Sequence, residues 1–157
     1  MYNNFGQFID GKWQQSEKKE TYDVINPATE EVIGSASKAS SIEVQKALES
    51  AEKGLKVWSN TTPWQRSYVL RKIADLMREK KNVLAKWLTL EVGKPLSEGI
   101  GEVGGAADIF EWNAEETKRI YGQTVQSRFP ETRVHVYYQP VGVVAALIPW
   151  NFPIVLA

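Results

Sequence analysis

The sequence predicts an α/β fold, a helical layer leading into the start of a parallel sheet, and three observations predict it. Between Ser40 and Tyr121 apolar residues recur at helical spacing. The stretch "TRVHVYY", residues 132–138, alternates in the manner of a strand with one covered face. "GVVAALI", residues 142–148, is apolar with no alternation, as expected of a parallel strand covered by helices on both sides. With 157 residues, 43% of them hydrophobic, the chain is long enough to bury roughly two-thirds of its unfolded surface.

Each element has its own signal. "FIDGKW" sets Asp10-Gly11 between Phe8-Ile9 and Lys12-Trp13, a hairpin signature because that dipeptide tolerates the positive φ angles of a tight turn. Two short strands, Tyr22 to Ile25 and Val32 to Ala36, follow around the breaker Asn26-Pro27. Ser40 and Glu43 form a capping box for a helix over 41–58, with Ala47, Leu48, Ala51 and Leu55 on its apolar face. Thr62, Pro63 and Gln65 open a second helix whose buried stripe is read as Tyr68, Leu70, Ile73, Leu76 and Met77, with Arg66, Arg71, Lys72 and Arg78 facing water. Asn82 is the expected cap of a third helix carrying Val83, Leu84, Trp87, Leu88 and Leu90, stopped by Gly93 and Pro95. A fourth helix is expected from Leu96 to about Tyr121, ending at Gly122. "VQSR" and "TRVHVYY", broken at Pro130, then predict a two-stranded ribbon whose edges invite pairing.

Charge and composition exclude several functions. Nineteen basic and nineteen acidic residues cancel, so no overall field favours nucleic acid or an anionic membrane. The absence of cysteine removes disulfides, thiolate metal sites and thiol nucleophiles from these residues. "MYNNFGQFIDGKW" lacks the pattern of an export signal, and a cytoplasmic location is expected. Val141 to Ala157 is nearly all apolar, but two prolines and an asparagine interrupt it, which argues against a membrane span. "GIGEVG", Gly99 to Gly104, fits a dinucleotide fingerprint by letter, yet no strand precedes it and Glu102 would repel phosphate; these glycines instead suggest a helix passing close to a neighbouring backbone. "EVGKPL" fails as a phosphate loop and reads as a helix stop. His135, the only histidine, reads as a ribbon surface residue, and no metal site is expected.

The chemically interesting stretch is "PWNFP", residues 149–153, delivered to the end of the apolar strand where ligands of α/β sheets gather. The carboxamide of Asn151 can donate hydrogen bonds without carrying charge or giving up a proton, which suits an oxyanion developing on a carbonyl. The flanking prolines would fix its direction. An asparagine satisfying a turn between two prolines explains the same letters.

"FIDGKW", "VINPATEEVIG", "EVGKP", "EWNAEETKRIYG" and "QPVGVVAALIPWNFP", in that order, give the chain a resemblance to the N-terminal part of the NAD(P)-dependent aldehyde dehydrogenase superfamily. The resemblance implies the N-terminal part of a cofactor-binding domain over 1–121, an oligomerisation ribbon over 122–140, and the first strand of a Rossmann-like sheet over 141–157. It also implies that Asn151 is the oxyanion donor, that the backbone of Ile148, Pro149 and Trp150 lies beside the nicotinamide ribose of NAD or NADP, and that Phe152 lines the aldehyde entrance. Glu91 takes the place of a monovalent-cation neighbour, and the partners implied are a small aldehyde and further copies of the chain. In the family the aldehyde is oxidised to an acid through a thiohemiacetal and thioester on a cysteine, with a glutamate base and a glycine-rich cofactor turn; this sequence matches none of the three. The expectation is therefore a fragment of such an enzyme, inactive alone, with "EWNAEETKRIYG" resembling the semialdehyde-oxidising branch. The rival expectation is a non-catalytic assembly or regulatory module related to the same family.

Overall fold

A computed structural model describes residues 5–157; Met1 to Asn4, the beginning of the stretch read for an export signal, lie outside them. The first hairpin forms as expected. Strands β1 (Gln7–Ile9) and β2 (Lys12–Gln14) pair antiparallel with Phe8 opposite Trp13, and Asp10 and Gly11 turn between them at φ 54° and 73°. A second antiparallel pair, β3 (Thr21–Ile25) and β4 (Val32–Ser37), is closed by an Asx turn in which Asn26 Oδ1 accepts the Ala28 N–H at 3.0 Å. Phe5 joins the two, its backbone bonded to Ser35 and Ser37 and its ring 5.6 Å from that of Trp87.

Helix α1 (Ser41–Ser59) begins at the expected capping box, and Glu43 does more than cap. Its carboxylate accepts the backbone N–H groups of Ser40 at 2.7 Å and Glu17 at 3.1 Å and the Ser16 hydroxyl at 3.3 Å, tying the helix start to the strand segment before it. Glu43 is 2% exposed. The remainder of α1 corrects the sequence reading: Ala47 and Leu55 are half-buried, but Leu48 and Ala51 are exposed. The apolar face is present and only partly covered among the described residues, where β1 is in contact with α1.

Helix α2 (Pro63–Glu79) is capped by Thr62 and Gln65 with Pro63 in the first turn, where a missing N–H is harmless. Its buried face is Ser67 and Ala74, flanked by Leu70, Ile73 and Met77, whereas Tyr68 and Leu76 are exposed. A helix lying close to its neighbour needs small residues at the contact, so the bulky residues of the stripe shift to its edge. Helix α3 (Lys81–Val92) follows immediately; Lys80 is its N-cap and makes no side-chain cap, leaving Asn82 inside the first turn rather than at the cap position. Gly93 ends it at φ 78°, and a side chain there would also meet Pro27.

Helix α4 (Leu96–Glu116) lies against both α2 and α3 and is the centre of the fold. Its buried positions Gly99, Glu102, Val103, Ala106, Ala107 and Ala114 are almost all small. Val103 meets Ala85 and Leu88 of α3 in the core, with Met77, Leu84, Ile100 and Ile154 around them. A Cβ at Gly99 would stand 3.0 Å from the Ala85 carbonyl oxygen, so the "GIGEVG" glycines serve helix contact at that position; at Gly101 no heavy atom lies within 4 Å. Toward solvent, Arg71 pairs with Glu111 and Glu115, and Arg78 with Asp108 and Glu111. The helix ends at Glu116, short of Tyr121, in a 3₁₀ turn over Thr117–Arg119 whose Thr117 hydroxyl accepts from Arg66 Nε at 3.2 Å.

The ribbon forms as β5 (Gln123–Gln126) and β6 (Arg133–Val136), with Thr124 opposite His135. Both of its faces are exposed, so the expected covered side has no cover among the described residues. The stretch 142–148, read as a parallel strand, carries no regular secondary structure here. Residues 141–148 make no backbone hydrogen bond among the described residues, and the sheets present are three antiparallel pairs. A strand is defined by its partners, and this one has none to pair with. No helix among the described residues is long and apolar enough to cross a membrane.

Two outcomes follow from this architecture. The Glu17 backbone N–H, then Ser40, hold the Glu43 carboxyl at about 2 against an ordinary 4.5. A depressed folded value contributes stability that is complete above pH 4.5 and lost as pH falls toward 2. Thermal melts should therefore lose Tm more steeply across that window in the native chain than in Glu43→Gln; parallel curves would contradict the assignment. In α4, Gly101→Ala should stabilise by about 0.5–1 kcal/mol from helix propensity, while Gly99→Ala should fall below it by about 1–3 kcal/mol as Ala85 is pushed aside. Urea unfolding of the two variants gives the comparison.

Candidate active site

The site is built from the α3–α4 junction outward. Gly93 stops α3 in the left-handed conformation glycine allows and Pro95, its φ fixed by the ring, starts α4, so Lys94 sits in the tight joint between the two helices. Its side chain is 8% exposed and runs to Glu102 of α4, whose side chain is fully buried. The two form a close ion pair. Every remaining polar position on the pair is directed at one short segment. Lys94 Nζ donates to the Asn151 carbonyl oxygen at 2.8 Å and lies 4.4 Å from the centre of the Phe152 ring. Glu102 Oε1 accepts the Ile154 N–H at 2.9 Å and is 3.4 Å from the Val155 nitrogen. Leu156 N–H bonds to the Phe152 carbonyl at 3.1 Å, making a single helical turn with the carboxylate at its positive end.

"PWNFP" is thus anchored by its backbone, and Ile154 just after it enters the core formed by Ala85, Leu88 and Val103. The Asn151 side chain is left free: the residue is exposed and its carboxamide makes no hydrogen bond among the described residues. Trp150 and Asn151 stand in a turn between the two prolines. Trp150 is 76% exposed, Phe152 47% and Ile148 37%, with Pro149 exposed as well. All five predicted site residues are therefore exposed to solvent.

Other candidates lie elsewhere. His135 is on the ribbon, its Nδ1 3.3 Å from the Thr124 hydroxyl. Glu91 is exposed in the last turn of α3. Among the described residues no group of three or more His, Asp and Glu side chains could hold a metal ion. A groove of about 510 Å³ lined by Trp58, Arg66, Phe110, Asn113, Thr117 and Ile120 does not include Asn151.

Sequence reasoning missed Lys94 and Glu102, reading the first as part of a helix stop and the second only as a charge hostile to phosphate. A signal existed. Glu102 is a lone charge within "GIGEVGGAA", a stretch of small and apolar residues that marks a buried helix face, and such a charge requires a partner.

The aldehyde dehydrogenase family model matches residues 13–157, and the chain belongs to that family. It is 45% identical over 146 residues to the glutarate-semialdehyde dehydrogenase of Pseudomonas aeruginosa, a match covering 93% of this chain and 30% of that protein. It is 43% identical over 145 residues to the NADP(+) succinate-semialdehyde dehydrogenase of Escherichia coli, covering 92% and 30%. Among solved structures it resembles the succinate-semialdehyde dehydrogenase of Burkholderia pseudomallei, with a TM-score of 0.92 at 38% identity over 98% of this chain and 32% of the other. The chain spans about 30% of the length of the relatives it matches.

Proposed function

We propose that this chain supplies the oxyanion-stabilising element of an NAD(P)-dependent aldehyde dehydrogenase, with a semialdehyde as substrate. The observation that carries the proposal is the free, exposed carboxamide of Asn151 on a backbone anchored from both sides. The semialdehyde class rests on the relatives, several of which are semialdehyde dehydrogenases at 43–46% identity.

As a nucleophile adds to the aldehyde carbon, charge moves to the carbonyl oxygen, and Asn151 Nδ2 donates a hydrogen bond to it. Because the carboxamide is neutral and its backbone is already anchored, it strengthens this bond in the transition state with little rearrangement of the chain. Phe152, its ring against Lys94, shapes the apolar approach for the aldehyde. The chain has no cysteine, so a thiol nucleophile comes from outside these 157 residues. The nicotinamide would accept hydride from the adduct. The exposed, unpaired backbone leading through Ile148 to Pro149 and Trp150 fits the ribose side of such a cofactor. The described residues do not fit its pyrophosphate, since the glycines from Gly99 to Gly105 lie inside α4 and offer no strand-to-helix cradle.

A second part of the proposal concerns assembly. The ribbon within 122–140 exposes both faces and both edges, and pairing of an edge with another copy of the protein would satisfy its free backbone groups. The cytoplasm is the proposed location.

Asn151→Ala in the aldehyde-oxidising enzyme containing this chain should lower kcat by about 10²–10³ with KM nearly unchanged, while the melting temperature of the chain stays the same. A kcat within threefold of the native value would remove Asn151 from the reaction. Val134→Lys, a charge on the ribbon's apolar face, should shift sedimentation velocity toward smaller species; an unchanged distribution would exclude the ribbon from assembly.

A further inference from the structure

The oxyanion role leaves a physical question open: what aims a carboxamide that touches nothing? Asn151 is not held through its side chain, so the backbone from Trp150 to Ile154 sets where its Cβ stands and which rotamers bring the carboxamide toward the site. The prolines fix φ at 149 and 153 only. The torsions between them depend on contacts made from outside the segment: Lys94 to the Asn151 carbonyl and the Phe152 ring, Glu102 to the Ile154 and Val155 amides, and Ile154 against the core.

We propose that Lys94 and Glu102 are the positioning residues of the Asn151 carboxamide, acting as one neutral, buried clamp on both sides of it. The inference rests on the oxyanion reading and extends it to residues that would not touch the substrate. The chemistry favours a pair over two separate contacts. A fully buried carboxylate needs a cation beside it to remain charged, and a nearly buried ammonium needs an anion. Once paired, Glu102 keeps one oxygen for the segment's amides, and Lys94 keeps donors for the Asn151 carbonyl and a face for the Phe152 ring. Each contact therefore depends on the other, one coming from the α3–α4 joint and the other from the buried face of α4. The net charge delivered beneath Asn151 is zero, which leaves the carboxamide as the local donor to a developing oxyanion.

The test uses the 157-residue chain without aldehyde or cofactor, so it can fail while Asn151→Ala still impairs catalysis, and it can succeed where that substitution has no effect. Amide hydrogen exchange and the ¹H–¹⁵N signal of the Asn151 side-chain amide are recorded for the native chain, Lys94→Met, Lys94→Arg and Glu102→Gln. Lys94→Met should accelerate exchange at Ile154 and Val155 by about tenfold or more and shift the Asn151 side-chain signal, while Ala106 and Ala107 inside α4 stay within about twofold. Lys94→Arg should restore the native signal in part. Should Lys94→Met fail to fold, Glu102→Gln carries the test, because it keeps an oxygen acceptor and removes only the charge. It should accelerate the same two amides by at least about threefold. Unchanged exchange and an unmoved Asn151 signal in the folded variants, or equal acceleration throughout α4, would overturn the proposal.

Discussion

The close approach of α4 to α2 and α3 is the constraint from which the rest of the structure follows. Helices come this near only where side chains are small, and α4 presents Gly99, Val103, Ala106, Ala107 and Ala114 inward. At Gly99 the margin is a single atom, since the Ala85 carbonyl occupies the space a β-carbon would need. The bulky residues of α2 are displaced to the rim for the same reason. Charge pairs from Arg71 and Arg78 to Asp108, Glu111 and Glu115 fix the helices' register on the wet side, a modest contribution at that exposure.

That constraint also creates the site. With α4 drawn against α3, Glu102 has no access to water and must find its hydrogen bonds inside. It finds Lys94 and the amides after Pro153, and so a segment far along the chain becomes attached to the helical layer. Burial of an ion pair costs desolvation of both members, and removing one partner from such a pair typically costs about 3–5 kcal/mol. The arrangement therefore secures geometry more than net stability. Asn151 is the beneficiary: its backbone is held and its carboxamide is left free.

Much of this was legible in the letters, and the exceptions share a cause. Local signals read correctly: Asp10-Gly11 made its turn, Ser40 with Glu43 and Thr62 with Gln65 made their capping boxes, and Gly93 ended α3. Periodicity also found four helices. It erred over which side of each helix is covered, at Leu48, Ala51, Tyr68 and Leu76, because period reveals that a face exists and not what lies against it. Asn82 misled because only Lys80 separates α2 from α3, leaving no room for a cap residue there. Val141 to Ile148 has the letters of a strand without its hydrogen bonds, which only another strand can supply. Glu102 announced itself only as a lone charge among small residues, and its pairing with Lys94 and with the segment after Pro153 was not legible, since it arises from contacts with residues about fifty positions later.

The connections within the helical layer have a kinetic meaning. Helices α2, α3 and α4 are consecutive and their joints are very short, so their mutual contacts close small loops and cost little chain entropy to form. Topologies of this kind assemble rapidly, whereas strands that must find distant partners are slow. As the polypeptide emerges from the ribosome, the helical bundle leaves ahead of Asn151 and can bring Glu102 beside Lys94 first. The receptor for the later segment would then already be in place, and docking would require only that the incoming backbone settle onto a finished surface.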